Sequence, residues 1–410
     1  MNRLIIGIGL LAALGMASVE AANQEIRALF QPDSSQPNKN VFVNKTPNSG
    51  YCAIYPAQCV DNNTFSIQLP IRFESAGPIQ PGTPGADIGL KVPANWRQLT
   101  VTNQATGESE TVEIRITGIG SQYILPQSAA SLVGVTDILE GHRQLWTNNS
   151  WVNAPAPCGY SGVGGYYPAN YWFFWKAPVE ALCIKTAAYR IPSMAFSGVD
   201  IAYELRTPNP LSMSSGLYTG SLTYTVGPAG DFQMGSMMIP NDSNITLDFV
   251  LDVQHTLKVE LPPGGDKVQM EPEGGWHSWI NAGKRPTAIY RDQQFFLSSS
   301  SRFKVMLLCD AAGTGATLCS MGGSAGHSRF SIKMILPDGI VMPAENHPGS
   351  YAFPLYNNLW TGPFEPMRYV DRKPGILRFY MDKWDIDFML KPGTNGTMRG
   401  NATIIWDSEV

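Results

Sequence analysis

The chain has 410 residues, a length that predicts two or three domains. It is 43% hydrophobic and 10% aromatic, which is enough to fill real cores, and its 40 glycines and 31 prolines favour short strands joined by turns. Its formal charge of -4 comes with no cluster of Lys and Arg that would grip phosphates, so we exclude nucleic acid as a partner.

The first 21 residues have the features of a removable secretory signal. Arg3 supplies the positive start, residues 4–17 are apolar, and small residues precede a cleavage point after Ala21. The apolar run is shorter than the roughly 20 residues that cross a bilayer. We therefore expect residues 1–21 to be a signal peptide and the rest of the chain to be exported.

The six cysteines fall into three neighbouring pairs, which suits an oxidising compartment. The pairs are Cys52 with Cys59, Cys158 with Cys183, and Cys309 with Cys319. Sequential pairing closes the shortest loops, so we predict one disulfide within each pair, with buried free thiols as the alternative. No CxxC spacing occurs and the histidines are scattered, so we expect no metal site.

Apolar residues alternate with polar ones in several segments, a pattern that predicts strands with one apolar face. The segments are residues 65–73, 112–117, 303–307, 330–336 and 386–390. Pro70 interrupts the first of them and suits an edge strand. Such strands stack sheet on sheet, so we predict an all-β protein made of β-sandwiches.

One segment, residues 126–146, has the spacing of an amphipathic helix. Its apolar residues in a loose 3.6-residue period are Leu132, Val133, Ile138 and Leu139. Gly134 and Val135 disfavour a continuous helix.

A stretch rich in aromatic residues lies between Cys158 and Cys183. Our candidates for receptor binding in it are Tyr166, Tyr167, Tyr171, Trp172 and Trp175. Aromatic faces on a disulfide-anchored loop suit stacking against sugar rings, and exposed apolar patches mark binding surfaces. The alternative is that these side chains belong to the core.

The long alternating run over residues 245–261 suggests where the chain divides. As one strand it would exceed about 50 Å at roughly 3.3 Å per residue, far more than a usual strand. We read it as two strands joined at residues 252–254. The expected organisation is a first domain over residues 22–251, a short linker over 252–254 and a second domain over 255–410.

Two polar clusters contain residue types that occur in catalytic or metal sites. His277 lies between two tryptophans, but no nucleophile can be placed beside it. Asp382, Asp385 and Asp387 suggest calcium or a glycosidase carboxylate pair, yet the alternation with Ile386 puts the last two on the solvated face of a strand. No nucleotide, zinc-protease or esterase motif occurs, so we predict no enzyme and no cofactor.

Several stretches of the chain resemble one family of secreted proteins. They are "HTLKVELPPG", "SRFKVMLLCDAAGT" followed by "SRFSIKMILPDG", the terminal "GTMRGNATIIWDS" and, upstream, "YELRTPNPLSMSSGLYTGSLTYTVG". In this order and spacing they resemble the CblD/CfaE-like tip minor subunits, adhesins and initiators, of class 5 (alpha) fimbriae. These fimbriae are built by the alternate chaperone–usher pathway.

The resemblance implies two tandem β-sandwich domains: an adhesin domain facing a receptor, and an immunoglobulin-like pilin domain that lacks one strand. It implies that a periplasmic chaperone, and then a donor strand from the major pilin, fills the gap at the outer-membrane usher. The protein would then be exported through the periplasm to the pilus tip at the cell surface. There it would initiate pilus assembly and bind a cell-surface glycan or glycoprotein.

The last strand, residues 398–407, is where the resemblance places the acceptor of the donor strand. An unpartnered strand exposes backbone groups and an apolar face, and a donated strand would supply hydrogen bonds and fill the pockets. The residues expected to face the groove are Gly400, Ala402, Ile404 and Trp406. The alternative is an ordinary internal strand with its partner in the same chain.

Two other functions remain open from the sequence. One is a secreted β-sandwich carbohydrate-active enzyme, or a glycan-binding protein outside a pilus. The other is an assembly initiator with no receptor of its own, since the pilin and adhesin roles are separable.

Overall fold

A computed structural model describes residues 22–62, 64–311, 315–343 and 351–408. The predicted signal peptide lies outside the described residues. Within the described ranges, no helix is both long enough and apolar enough to cross a membrane.

The part of the chain before residue 254 is built mainly of strands. In chain order its described strands are β1 Ala22–Phe30, β2 Val43–Asn44, β3 Ile67–Leu69, β4 Phe73–Ser75, β5 Ile88–Lys91, β6 Arg97–Asn103, β7 Ser109–Ile124, β8 Gly159–Tyr166, β9 Asn170–Lys176, β10 Cys183–Lys185, β11 Ala195–Phe196, β12 Val199–Arg206, β13 Gly216–Thr225, β14 Gln233–Met234, β15 Met238–Pro240 and β16 Asn244–Val253.

The part after residue 256 is also dominated by strands. Its described strands are β17 Leu257–Glu260, β18 Glu271–Pro272, β19 Ile289–Ser299, β20 Phe303–Cys309, β21 Leu318–Gly323, β22 Gly326–Ile335, β23 Ile340–Val341, β24 Ala352–Pro354, β25 Trp360–Pro366, β26 Val370–Met381, β27 Met398–Arg399 and β28 Ala402–Asp407.

The described helices are short. They are α1 Tyr51–Ile54, α2 Pro56–Asp61, α3 Ala129–Val133, α4 Ile138–Gln144, α5 His277–Ala282 and α6 Lys383–Met389, with a single 3-10 turn at Pro210–Ser212. The chain is therefore all-β, as the alternating segments predict.

The first half folds around one large sheet. Its described strands follow the order β15-β4-β11-β7-β6-β13-β16-β1-β2, with β3, β8, β9 and β12 attached to this path, and β10-β5-β14 form a second sheet. The N-terminal strand β1 runs parallel to β16, from Ala22 beside Ile245 to Phe30 beside Val253. This pairing closes one side of the first core with the start of the described chain.

The second half is a sandwich of two sheets. One follows the order β17-β19-β26-β22-β21-β27, with β18 and β24 attached, and the other follows β23-β25-β20-β28. The alternating segments of the sequence supply the core between them: Phe303, Val305 and Leu307 from β20 face Ile332 and Met334 from β22, and all five are buried. Alternation places these side chains on one face of each strand.

The joint between the halves is short and anchored. β16 ends at Val253 and β17 begins at Leu257. The ring of His255 lies between them, with Nε2 2.9 Å from the Met213 carbonyl oxygen and Nδ1 3.1 Å from Ser300 Oγ. Since a carbonyl only accepts, Nε2 donates its proton to the first half while Nδ1 faces the second.

The three predicted disulfides are present. Cys52 pairs with Cys59, Cys158 with Cys183, and Cys309 with Cys319. The second of them ties the start of β8 to the start of β10, and the third ties the end of β20 to β21.

The predicted helix over residues 126–146 is divided into α3 and α4. Gly134 ends α3 in the left-handed conformation at φ 81°, which glycine adopts without steric cost. Asp137 then caps α4, its side chain accepting a hydrogen bond from the Glu140 amide at 2.8 Å. A C-cap and a new N-cap within four residues make two helices of one periodic segment.

The prediction of a strand at residues 386–390 is wrong, because this segment belongs to helix α6. Asp382 caps the helix and accepts hydrogen bonds from the amides of Trp384 and Asp385 at 3.0 and 3.2 Å. Asp385 therefore does not lie on a solvated strand face. It is buried and pairs with Arg329 Nε at 2.8 Å.

Candidate functional site

The last strand lies at the open edge of its sheet. β28 pairs antiparallel with β20, from Ala402 beside Cys309 to Asp407 beside Lys304. In the part of the chain that the structure describes, β20 is its one partner. The other edge of β28 thus carries backbone groups that another strand can pair with.

The facing wall of the opening is β17, an edge strand of the larger sheet. β17 pairs with β19 and, among the described strands, with no second neighbour. Val259 on this strand is half-buried, and Leu261 just after it is 48% exposed. An edge from each sheet therefore borders one gap.

A groove of about 1390 Å³ lies between these two edges. Ala402, Ile404 and Trp406 line it from β28, whereas Val259 and Leu261 line it from the opposite wall. Its volume exceeds the roughly 300–1,000 Å³ of usual small-molecule pockets. The groove has the size and shape to take an extended peptide.

The floor of the groove is the apolar core of the second half. Core side chains that line it are Ile289, Met321, Phe330, Leu377 and Met381. The ring of Trp406 packs on this core, with its centroid 5.2 Å from that of Phe295 and 5.7 Å from that of Phe303. An occupant of the groove would cover apolar surface that the chain itself leaves half-exposed.

Gly400 allows the chain to pass from one sheet to the other just before β28. A Cβ at this position would lie 2.8 Å from the Ser320 carbonyl oxygen and 3.1 Å from Met321 Cβ. A side chain would therefore push the terminal strand away from β21. Gly400 lines the end of the groove but packs against its own chain.

The charged side chains that line the groove are Asp266, Lys267 and Arg399, all of them outside β28. Lys304 Nζ lies 3.7 Å from Asp407 Oδ2 at one end of β28. Beyond the other end, burial raises the pKa of the Asp385 carboxyl, although its ion pair with Arg329 acts in the opposite direction. The side chains that β28 presents to the groove, Ala402, Ile404 and Trp406, are all uncharged.

No metal chemistry is evident within the described ranges. They hold no group of three His, Cys, Asp or Glu side chains placed to bind an ion. His277 lies exposed at the start of α5.

The aromatic candidates for receptor binding do not all share one surface. Tyr171 and Trp175 are buried, at 2% and 0% exposure, so the alternative of a core role applies to these two. Tyr166 and Tyr167 are 48% and 53% exposed at the β8–β9 turn, and Trp172 is half-buried beneath Tyr55. The exposed members lie at the tip of one hairpin.

That hairpin tip is held in place from below. His142 is buried, with Nε2 2.7 Å from the Tyr167 carbonyl oxygen and Nδ1 2.6 Å from the Tyr123 hydroxyl. Because burial lowers the pKa of His142, the ring stays neutral and donates to the carbonyl through Nε2. Burial, together with a hydrogen bond to the Tyr167 side chain, raises the pKa of Tyr55 to about 12.

Sequence reasoning missed the wall and floor of the groove outside β28. Residues 265–270 and the end of α6 at Met389 and Leu390 line it but lie in segments without a strand period. The sequence signal for this wall was the alternation in β17, which places Leu257 and Val259 on one face of the strand. Both side chains are only half-buried in the structure, as is usual at a sheet edge.

Neither a protein-family model nor a curated protein matches the chain. Among solved structures it is similar to a chain of a chaperone–tip adhesin complex of CFA/I fimbriae, at 10% identity and a TM-score of 0.26, covering 95% of this chain and 97% of that one. It is also similar to CfaE, the adhesive subunit of CFA/I fimbria of enterotoxigenic Escherichia coli, at 9% identity and a TM-score of 0.26, covering 94% of this chain and 92% of that one.

A chain of the CsuC–CsuE chaperone–tip adhesion subunit complex of Acinetobacter baumannii is similar at 9% identity and a TM-score of 0.21, covering 94% of this chain and 98% of that one. At such identities and TM-scores, the likeness by itself assigns no function.

Proposed function

We propose that this protein is the tip subunit of a fimbria, and that its second half accepts a donor strand from another polypeptide. The observation that carries the proposal is the groove between β17 and β28. Each of these strands lacks a second neighbour among the described strands, and the core of the second half forms the floor between them. A strand laid along β28 would gain backbone hydrogen bonds, and its alternate side chains would enter the groove beside Ala402, Ile404 and Trp406.

The proposed order of partners follows from the tendency of an open sheet edge to aggregate. A periplasmic chaperone covers the groove after export, because an exposed apolar edge aggregates. The N-terminal extension of the major pilin then replaces the chaperone at the outer-membrane usher. The tip subunit has no subunit ahead of it, so acceptance of this first strand initiates the pilus.

The proposed receptor site is on the first half. Tyr166, Tyr167 and Trp172 offer aromatic faces on a fixed hairpin, and such faces stack against sugar rings. We propose a cell-surface glycan or glycoprotein as the ligand.

Donor-strand fusion tests the assembly role. The chain from Ala22 is produced alone, with the N-terminal peptide of its major pilin fused after Val410, and with the same peptide in scrambled order. We expect the first and third proteins to aggregate or be degraded and the second to be a stable monomer. Equal yields and equal melting temperatures for all three would contradict the proposal.

A further inference from the structure

An aromatic pair lies exposed on helix α6. Trp384 is 63% exposed and Phe388 is 40% exposed, and their rings stack with centroids 6.0 Å apart and an interplanar angle of 12°. Lys391 Nζ lies 4.4 Å from the Phe388 ring centroid. Side chains of this size are usually buried, and a contiguous exposed patch of them marks an interaction surface.

The patch continues onto helix α5. Arg285 links the two helices, with Nη1 3.2 Å from Asp387 Oδ1 and Nη2 3.2 Å from the Leu390 carbonyl oxygen. On α5 itself, Ile280 is 72% exposed. We call the exposed set Ile280, Arg285, Trp384, Phe388 and Lys391 the α5–α6 surface.

Basic groups outnumber acidic ones along this surface. Lys284, Arg285, Lys383 and Lys391 are exposed there, against Asp382 and the half-buried Asp387. A partner that carries carboxylates around an apolar centre would complement it.

The α5–α6 surface flanks one particular end of the groove. β19 and β20 are joined by a tight turn at residues 300–302, so Ile289 and Cys309 mark the far end of the sandwich. Met381, just before α6, pairs with Ile289, and Ala402 pairs with Cys309. The surface therefore lies at the Ala402 end of β28, while the opposite end faces the joint with the first half.

The direction of a donor strand decides which end its polypeptide leaves from. All described strand pairs of the second half are antiparallel. A donor that continues this pattern runs from the Asp407 end of β28 to the Ala402 end. An N-terminal extension is followed by its folded domain, so that domain emerges beside the α5–α6 surface.

We propose that the α5–α6 surface is the docking site for the folded body of the subunit that supplies the donor strand. This inference rests on the proposed function, because it needs the groove to be filled by an N-terminal extension. The groove binds the strand, and the surface binds the domain that follows it, through Trp384 and Phe388 at the centre and the basic residues around them.

The test separates strand binding from body binding. The chain is held soluble by its chaperone, which the donor strand is expected to displace from the groove. Two probes are offered to this complex: the N-terminal peptide of the major pilin, and the intact major pilin. The variant carries Trp384→Ala and Phe388→Ala. The control is Trp360→Ala, since Trp360 is 42% exposed on β25 with Lys304 Nζ 4.5 Å from its ring centroid, and it does not line the groove.

We expect the double variant to bind the peptide as the unmodified chain does and to bind the intact pilin at least tenfold more weakly. The Trp360→Ala control should bind both probes normally. Equal affinity of the double variant for the intact pilin would overturn the docking site while leaving strand acceptance in place. Failure of the unmodified chain to bind the peptide would instead overturn the proposed function, and the docking site with it.

Discussion

The two halves of this molecule differ in how they cover the apolar faces of their sheets. The first half closes its sheet with its own N-terminal strand, since β1 fills the position beside β16 and buries Ile26 and Phe30. In the second half, β28 has no partner on its other side among the described strands, and Ile404 and Trp406 stay half-exposed.

The contrast shows that a single strand decides whether the apolar face of a sheet is covered. Both halves carry buried apolar faces of similar kind, but among the described strands only the first half has one of its own, β1, at this position. A half that lacks that strand must either expose its core or obtain a strand from outside. The predictions below test whether the halves differ in this way.

The largest effect is expected from a charge in the groove. Ile404→Asp places a carboxylate where a donor side chain would bury it, at a cost on the order of 3–5 kcal/mol if the charge stays unpaired. We expect the variant to abolish pilus assembly and to remove the stabilisation that a fused donor strand provides. Piliation is counted by electron microscopy and stability is followed by thermal melting.

Thr403→Asp is the matched control for this change. Thr403 is exposed on the same strand, does not line the groove, and receives the same charge. Normal assembly of both variants would show that the face of β28 is assigned incorrectly.

A smaller effect, confined to the first half, is expected from loss of its longer disulfide. Replacing Cys158 and Cys183 together by Ala opens a loop with a sequence separation of 25, which costs about 3 kcal/mol. The first half should unfold at lower denaturant concentration, while acceptance of the donor peptide stays unchanged. A loss of peptide binding would mean that the halves are not independent.

The smallest predicted effect is a pH dependence that belongs to the first half. Asp200 is buried and accepts hydrogen bonds from the Tyr51 amide at 2.9 Å and Gln68 Nε2 at 3.2 Å. Burial nevertheless raises its pKa from the ordinary 3.8 to about 7. Since the folded state holds this proton more tightly, its contribution to stability is full below about pH 4 and is lost as the pH rises to 7.

Between pH 5 and pH 7 this loss amounts to about 2 kcal/mol. Asp200→Asn keeps the size of the side chain and cannot ionise, so the variant should show a flat stability over the same interval. Denaturant unfolding at both pH values, read from first-half tryptophan fluorescence, measures the difference. An identical slope in the variant would assign the pH dependence to another group.

The sequence predicts well those features that depend on local pattern. Alternation at residues 112–117 and 303–307 corresponds to β7 and β20, and proximity along the chain predicts all three disulfides. Alternation also applies to the aromatic stretch, because Tyr171 and Trp175 lie on the same face of their strand as the buried Phe173.

Other features depend on what the rest of the chain does. At residues 382–389, alternation and a helical i, i+4 pair at Trp384 and Phe388 are both present, and the Asp382 cap decides for the helix. The parallel pairing of β1 with β16 joins strands more than 200 residues apart, as the contact of Ala22 with Ile245 shows. Whether β28 has a neighbour on its second side depends on the rest of the chain, so the residues of β28 alone do not show it.

The structure of the chain with its donor peptide fused after Val410 tests the central claim most directly. We predict that the peptide hydrogen-bonds antiparallel to β28, that its alternate side chains contact Ile404 and Trp406, and that the first half is unchanged. A crystal structure in which the peptide lies outside the groove, with the free edge of β28 paired by another segment of the same chain, would contradict the account.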